Sequence, residues 1–406
     1  MAEPTSAAVS MRQVSPVRWL PLAIAGMCSS LIGLGIGRFA YVPLLPLMID
    51  SGWTTSSGAA QIAAANLVGY LVGSAAAHRL ALRFGGALAI RFAMLTVLAS
   101  LLACSVNLGL FWLWAWRMAA GAAGGVLMIS ATPYLMREVP AATRGKATGV
   151  VFAGIGVGVV VSGFGVPLIG ARYFPFAWLF LAAVVGVAII FAWPTFIPRE
   201  QSGSAPDIAL SQGQVLPRGA FLVLLCAYVL DAIGYLPHTV FWVEYLVHDL
   251  GKPLSIGGAF WAAFGAGAVA GPLLTGAAAD CFGFKPTLVA CFACKAIAVA
   301  LPLLSTSTPA LFLSSFAVGA LTPGMVAVAS GRVIEIAGAG SHQRNWAMMT
   351  FIYALVQAIG GYAMAAVYAA THSFALLFSV AAGALVVAAI ITTTGKTPPT
   401  PAGSLH

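Results

Sequence analysis

The sequence predicts an all-α integral membrane protein, with twelve transmembrane helices in two pseudo-symmetric six-helix bundles. Three observations predict it. Of 406 residues, 61% are hydrophobic and only 7% are charged. A soluble domain carries roughly 25% charged residues. The apolar residues arrive in blocks of about 18 or more, long enough to cross a bilayer. Lys and Arg collect in alternate loops between those blocks.

The spans are expected at 19–49, 58–79, 87–106, 109–136, 146–170 and 174–196, then at 219–248, 255–279, 286–305, 309–337, 344–370 and 372–393. Backbone polar groups in lipid must be satisfied within the segment, so spans of this length are helices. Arg12 and Arg18 precede the first block as in a signal peptide. That block runs far beyond the apolar core of about 7–15 residues in such a peptide, so it reads as an uncleaved first helix. The 45 glycines lie largely inside the apolar blocks, where they let helix backbones approach closely.

With the N-terminus inside, only Arg172 and Lys252 of the 19 Lys and Arg fall outside. Arg38, Arg117 and Lys295 lie within spans. The bias places both termini in the cytoplasm and requires an even number of spans. The organisation follows as a cytoplasmic N-terminal segment (1–18), a first bundle (19–197), a cytoplasmic linker (198–217), a second bundle (218–394) and a cytoplasmic tail (395–406). The linker is the longest polar interval and has no helical or strand periodicity.

Several function classes are excluded. The net charge of +9 serves topology rather than nucleic-acid binding, because the cations sit in short loops. The six cysteines are scattered over apolar segments, and the Cys291–Cys294 pair has no partner pair or histidine cluster, so they read as inert thiols. No nucleotide-binding loop, metal-ligand cluster or catalytic constellation is evident, so neither an enzyme nor a cofactor or metal is expected.

The two bundles look related. Tyr41 and Pro43 match Tyr235 and Pro237 at one offset of 194 residues. Gly121 matches Gly319 at 198, and Arg144 matches Arg344 at 200. Parallel repeats of this kind build transporters.

Between the eighth and ninth spans stands Gly276-Ala277-Ala278-Ala279-Asp280-Cys281-Phe282-Gly283-Phe284-Lys285. This run resembles the G-x-x-x-D-x-x-G-x-[KR] loop of the major facilitator superfamily. The first-half copy, from His78 to Gly86, has lost its acidic residue. Arg117-Met118-Ala119-Ala120-Gly121 is similar to the family's R-x-x-x-G on the fourth helix. The glycine run from Gly154 to Gly165 is similar to the antiporter motif but lacks its Gly-Pro pair. The string from Gly35 to Met48, with Gly234-Tyr235-Leu236-Pro237, resembles the YbfB/YjiJ-like branch. The resemblance implies the family fold, with the first and seventh helices lining a central cavity. It gives Gly276, Asp280, Gly283 and Lys285 the role of a conformational switch loop.

Charges inside spans are costly, so each is expected to be paired, to line water, or to work. Arg38 is expected to hold a carboxylate or phosphate, or a structural ion pair. Asp231 falls opposite Gly37 by the repeat offset, which predicts that it faces Arg38. It then either exchanges a proton during the cycle or permanently joins the halves. By the resemblance, Arg117 is expected to take part in proton coupling or cavity electrostatics, with a structural hydrogen bond to neighbouring carbonyls as the alternative. His238, seven residues past Asp231, either relays protons or is simply hydrogen-bonded. Tyr41, Asn66, Tyr235, Trp242 and Gln357 are candidate cavity liners, with packing as the alternative. Lys295 is expected to face lipid or a neighbouring helix.

These features and the resemblance imply a secondary active transporter working by alternating access. The expected partners are a small organic solute, protons and the lipid bilayer. Two cavity arginines against one aspartate favour an organic anion. A monomer in a bacterial inner membrane is expected. Efflux of amphipathic compounds is the alternative within transport, and a non-transporting receptor or scaffold is the alternative outside it.

Overall fold

A computed structural model describes residues 19–140, 143–197, 218–338 and 341–395. The expected segment 1–18, the linker 198–217 and the tail beyond residue 395 lie outside the described residues. Twelve helices among the described residues are long and apolar enough to cross a membrane. They are α1 (Trp19–Asp50), α2 (Ser56–Phe84), α3 (Gly86–Ala103), α4 (Leu110–Met136), α5 (Arg144–Gly170) and α6 (Phe174–Thr195). The second set is α7 (Arg218–Asp249), α8 (Leu254–Phe282), α9 (Phe284–Leu304), α10 (Thr308–Ala337), α11 (His342–Thr371) and α12 (Phe374–Thr394). Successive spans run antiparallel, so the start of α1 and the end of α12 share one end of the molecule. We call this the terminal end, and the other the opposite end.

Large apolar side chains such as Phe111, Leu168 and Leu304 are exposed around the outside. Water would not tolerate that much apolar surface, whereas lipid dissolves it. Small residues face inward. A side chain at Gly69 of α2 would meet the Met118 carbonyl of α4 at 2.0 Å, and one at Gly121 would meet the Asn66 carbonyl at 2.0 Å. The second set repeats this packing. A side chain at Gly267 of α8 would meet the Phe316 carbonyl of α10 at 2.2 Å, and one at Gly319 would meet the Phe264 carbonyl at 2.1 Å. All four positions are displaced by 198 residues (267 − 69, 316 − 118, 319 − 121 and 264 − 66). The repeat is therefore one of backbone contacts, held wherever only glycine fits.

The same displacement governs a helix end. Gly283 closes α8 with φ 86°, and Gly85 closes α2 with φ 85°. Positive φ favours glycine because it has no Cβ to clash. The first-half copy of the loop has lost its acidic residue but keeps its turn. It also begins later than expected, since α2 continues to Phe84 rather than ending near residue 79.

α1 and α7, the first helices of each set, are irregular midway. A π-helical stretch, Leu31–Phe39, interrupts α1, and another, Pro237–Phe241, interrupts α7. Pro43 and Pro237 lack the N–H that would bond four residues back, which loosens each helix there. π-Segments of this kind re-aim side chains and often mark functional sites.

Candidate functional site

The two sets of six helices meet along a seam. At the opposite end and midway, α5 and α8 touch backbone to backbone. A side chain at Gly258 would meet the Gly163 carbonyl at 2.1 Å, and one at Gly156 would meet the Gly265 carbonyl at 2.5 Å. Gly149 lies seven residues before Gly156, and Gly276 eleven after Gly265. Both spacings return to the same helix face. Yet a side chain at either position would meet nothing within 4 Å. The seam is shut at the opposite end and splayed at the terminal end. Trp114 Nε1 adds a cross-seam bond, donating to Tyr362 Oη of α11 at 3.0 Å.

The irregular part of α1 brings Arg38 to this seam. Its guanidinium packs over the Phe39 and Tyr70 rings at 5.0 and 5.7 Å. Its Nη2 donates to Tyr235 Oη on α7 at 2.9 Å. Arg38 therefore does cross to α7, but it meets a neutral phenol. Among the described residues no carboxylate pairs with it.

Asp231 has a different partner. Lys295 Nζ of α9 donates to Asp231 Oδ1 at 2.7 Å, with side chains 0% and 1% exposed. The expected facing of Arg38 and Asp231 is corrected here. One helical position is about 100° of rotation. A residue placed opposite Gly37 thus turns away from the face that carries Arg38, into the second set of helices. The expectation that Lys295 faces lipid or a neighbouring helix resolves in favour of the neighbour, because Asp231 draws it inward. A buried charge of this kind must be paired.

Tyrosines connect the two charged centres. Tyr353 Oη of α11 donates to Asp231 Oδ2 at 3.3 Å. The Tyr353 ring lies 6.2 Å from Tyr235 and 4.5 Å from Tyr228. Lys295 Nζ stands 5.0 Å from the centre of the Tyr235 ring. A continuous path therefore runs from Arg38 through Tyr235 to Tyr353 and the Asp231–Lys295 pair.

The other expected residues lie around this centre. Arg117 is 1% exposed, stands 5.2 Å over the Tyr41 ring, and donates through Nη2 to the Arg38 carbonyl at 3.4 Å. It thereby braces the irregular stretch of α1. Asn66 Nδ2 donates to the Arg117 carbonyl at 2.9 Å and the Gly37 carbonyl at 3.3 Å, tying α2 to both helices. Tyr41 Oη donates to the Ala59 carbonyl at 2.9 Å, and Trp242 Nε1 to Ser315 Oγ at 2.7 Å. Asn66 Oδ1 and Gln357 Nε2 are buried without hydrogen-bond partners among the described residues.

His238 lies in the π-helical stretch of α7, and Ser314, its partner, donates in turn to the Ala298 carbonyl of α9, the helix that carries Lys295. Its Nε2 sits 2.8 Å from Ser314 Oγ of α10, and its ring stacks at 4.3 Å on Trp242. At the terminal end, Lys285 Nζ donates to the Thr393 carbonyl at 3.0 Å, and Asp280 is exposed at the end of α8.

Tyr353, Glu244 and His248 are the residues that sequence reading missed. Glu244 was visible to the rule already used, an acid inside an apolar span. His248 follows it at i+4. Tyr353 carried no signal beyond being aromatic.

Twelve spans in a twofold repeat, with charged groups set inside the bundle around two irregular helices, define a secondary transporter of the major facilitator fold rather than an enzyme. The family profile described as "Uncharacterised MFS-type transporter YbfB" matches residues 30–393, and the chain belongs to that family. Its fold is similar to that in a crystal structure of a D-xylose-proton symporter, with TM-score 0.71 and 16% identity over 95% of this chain and 100% of that one. It is also similar to the xylose transporter XylE from E. coli in a partially occluded inward open conformation, with TM-score 0.73 and 14% identity over 93% of this chain and 99% of that one. No curated protein matches the chain.

Proposed function

We propose that this transporter moves a small organic anion across a bacterial inner membrane by alternating access, coupled to protons, with both termini cytoplasmic. One observation carries the choice of an anion. Arg38 stands at the seam with a neutral hydroxyl as its cross-seam partner, while the buried Asp231 is already paired with Lys295. A carboxylate or phosphate bonds a guanidinium about twice as strongly as a neutral acceptor does. An anionic solute entering from the splayed end therefore displaces Tyr235 from Arg38. A neutral sugar would leave that charge uncompensated.

Displacement also supplies a route for coupling. Tyr235, once released, can re-pair toward Tyr353, which holds Asp231. Weakening the Tyr353–Asp231 bond or moving Lys295 removes a partner that the buried Asp231 carboxylate needs. Likeness to a D-xylose-proton symporter supports proton coupling as the driving force. The basic loops support a cytoplasmic terminal end, which makes the present arrangement inward-facing.

The test is a thermal-stability screen of purified protein against organic anions, organic cations and neutral sugars, followed by uptake into proteoliposomes under an imposed proton gradient. Anions should stabilise the protein and accumulate, and Arg38→Gln should abolish both effects. Stabilisation by sugars or cations alone, unchanged in Arg38→Gln, would overturn the reading.

A further inference from the structure

His248 lies in the last turn of α7, at the opposite end of the seam. Its Nδ1 is 2.8 Å from Glu244 Oε2, and its Nε2 is 2.8 Å from Asp50 Oδ1. Asp50 ends α1, so this bond joins the first set of helices to the second. Ser56 Oγ, opening α2, donates to the other Glu244 oxygen at 3.2 Å and joins them again. Glu244 is 1% exposed, while the His248 side chain is 33% exposed. Tyr368 of α11 faces Glu244 and Ser56 from the remaining side and lies near Asp249. His372 packs edge-on to Tyr368 at 5.9 Å, and Lys252 lies in the turn that follows.

The protons in this cluster can be counted. A neutral imidazole has one N–H and one bare nitrogen, and an ionised carboxylate only accepts. Each short N···O line needs one hydrogen, since two lone pairs face one another otherwise. Both lines here are 2.8 Å long. Two protons must therefore lie on them, whether both on the ring or one on a carboxyl group. Two carboxylates and a neutral histidine supply one. The closed cluster holds one proton more.

We propose that Asp50, Glu244 and His248 form a proton-binding site that latches the opposite end of the seam shut when it is loaded. The site rests on the alternating-access reading given above. At low pH the added proton is bound, and an imidazolium bridges carboxylates from the two sets of helices. As pH rises the proton leaves, one N···O line becomes repulsive, and the opposite end opens. His248 reaches solvent on that side, so its proton exchanges with the compartment there. The latch therefore sets which way the transporter faces, and it is separate from any proton that crosses with the solute.

The experiment uses the full chain in lipid nanodiscs, with its native cysteines replaced. Spin labels are placed at Asn107→Cys and Thr306→Cys, in the opposite-end turns after α3 and α9. Electron–electron distances are measured from about pH 5 to about pH 9 without solute, a range that spans histidine titration. The parent should show a short distance at low pH and a long one at high pH, with the ratio of the two populations changing by about tenfold or more. His248→Gln and Asp50→Asn should each reduce that change to less than about twofold. Asp50 is 57% exposed, so its substitution leaves the fold intact. A parent without pH response, or a His248→Gln variant with the parent's response, would overturn the latch. A pH-dependent distance in a parent that accumulates no organic anion under a proton gradient would instead reject the proposed function and leave the latch standing.

Discussion

Lys295 of α9 and Asp231 of α7 form an ion pair at 2.7 Å, buried wholly within the second set of six helices. Desolvation makes such a pair a weak source of net stability, but losing one partner strands the other. Asp231→Asn or Lys295→Met alone should therefore destabilise the protein by about 3–5 kcal/mol. The double substitution should recover most of that loss, because no orphan charge remains. Thermal unfolding of the four proteins in one detergent measures the coupling. Simple additivity of the single effects would mean that the pair does not interact in solution.

Arg38 and Tyr235 yield a second, opposite-signed expectation. The phenol occupies a guanidinium donor that the solute needs, so removing it should help binding. Tyr235→Phe should tighten binding of a stabilising anion by a few-fold, while Arg38→Gln should eliminate it. A hydrogen bond to a charged group is worth about 1.5–3 kcal/mol, which bounds both effects. Calorimetric titration with the best anion from the stability screen is the measurement. Weaker binding in Tyr235→Phe would place Tyr235 in direct contact with solute rather than in competition with it.

How far the sequence was legible follows from what kind of signal each feature leaves. Span ends were readable to a few residues because lipid imposes length and apolarity on every helix alike. The repeat was readable at Gly121 and Gly319 because only glycine permits a carbonyl 2.0–2.2 Å from where a Cβ would be. Arg38 and Asp231 were readable as costly charges, but their pairing was not. Partner choice depends on rotation about a helix axis, and the π-helical stretch in α1 changes that rotation at Arg38 without changing the residue count. Lys295 stayed opaque because its partner is 64 residues away on a different helix.

The glycine seam between α5 and α8 separates the two conformations geometrically. Gly258→Leu places a side chain against the Gly163 carbonyl, where a Cβ alone would stand at 2.1 Å. The opposite end should then be unable to close, and a reporter cysteine in the α3–α4 turn should react faster with a membrane-impermeant reagent. Gly149→Ala enters open space at the splayed end and should leave both reactivity and melting temperature unchanged. Equal effects of the two substitutions would show that the seam does not hinge along its length.

Asp280 tests the same motion from the terminal end. It sits in the last turn of α8, exposed, beside a Gly283 turn that orients the chain toward α9. In the present state the terminal end is splayed, and the Asp280 side chain is exposed. Closure of that end brings α8 toward neighbouring helices, where a carboxylate gains backbone or cationic partners that an amide matches less well. Asp280→Asn should therefore leave the splayed state and its anion affinity unchanged within about twofold, while the closed-terminal state becomes rarer. A loss of roughly 1.4 kcal/mol in that state lowers exchange flux by about tenfold. Counterflow in proteoliposomes gives the flux, and titration in detergent gives the affinity. Lost affinity with an intact fold would assign Asp280 to solute binding, and unimpaired counterflow would remove it from the conformational switch.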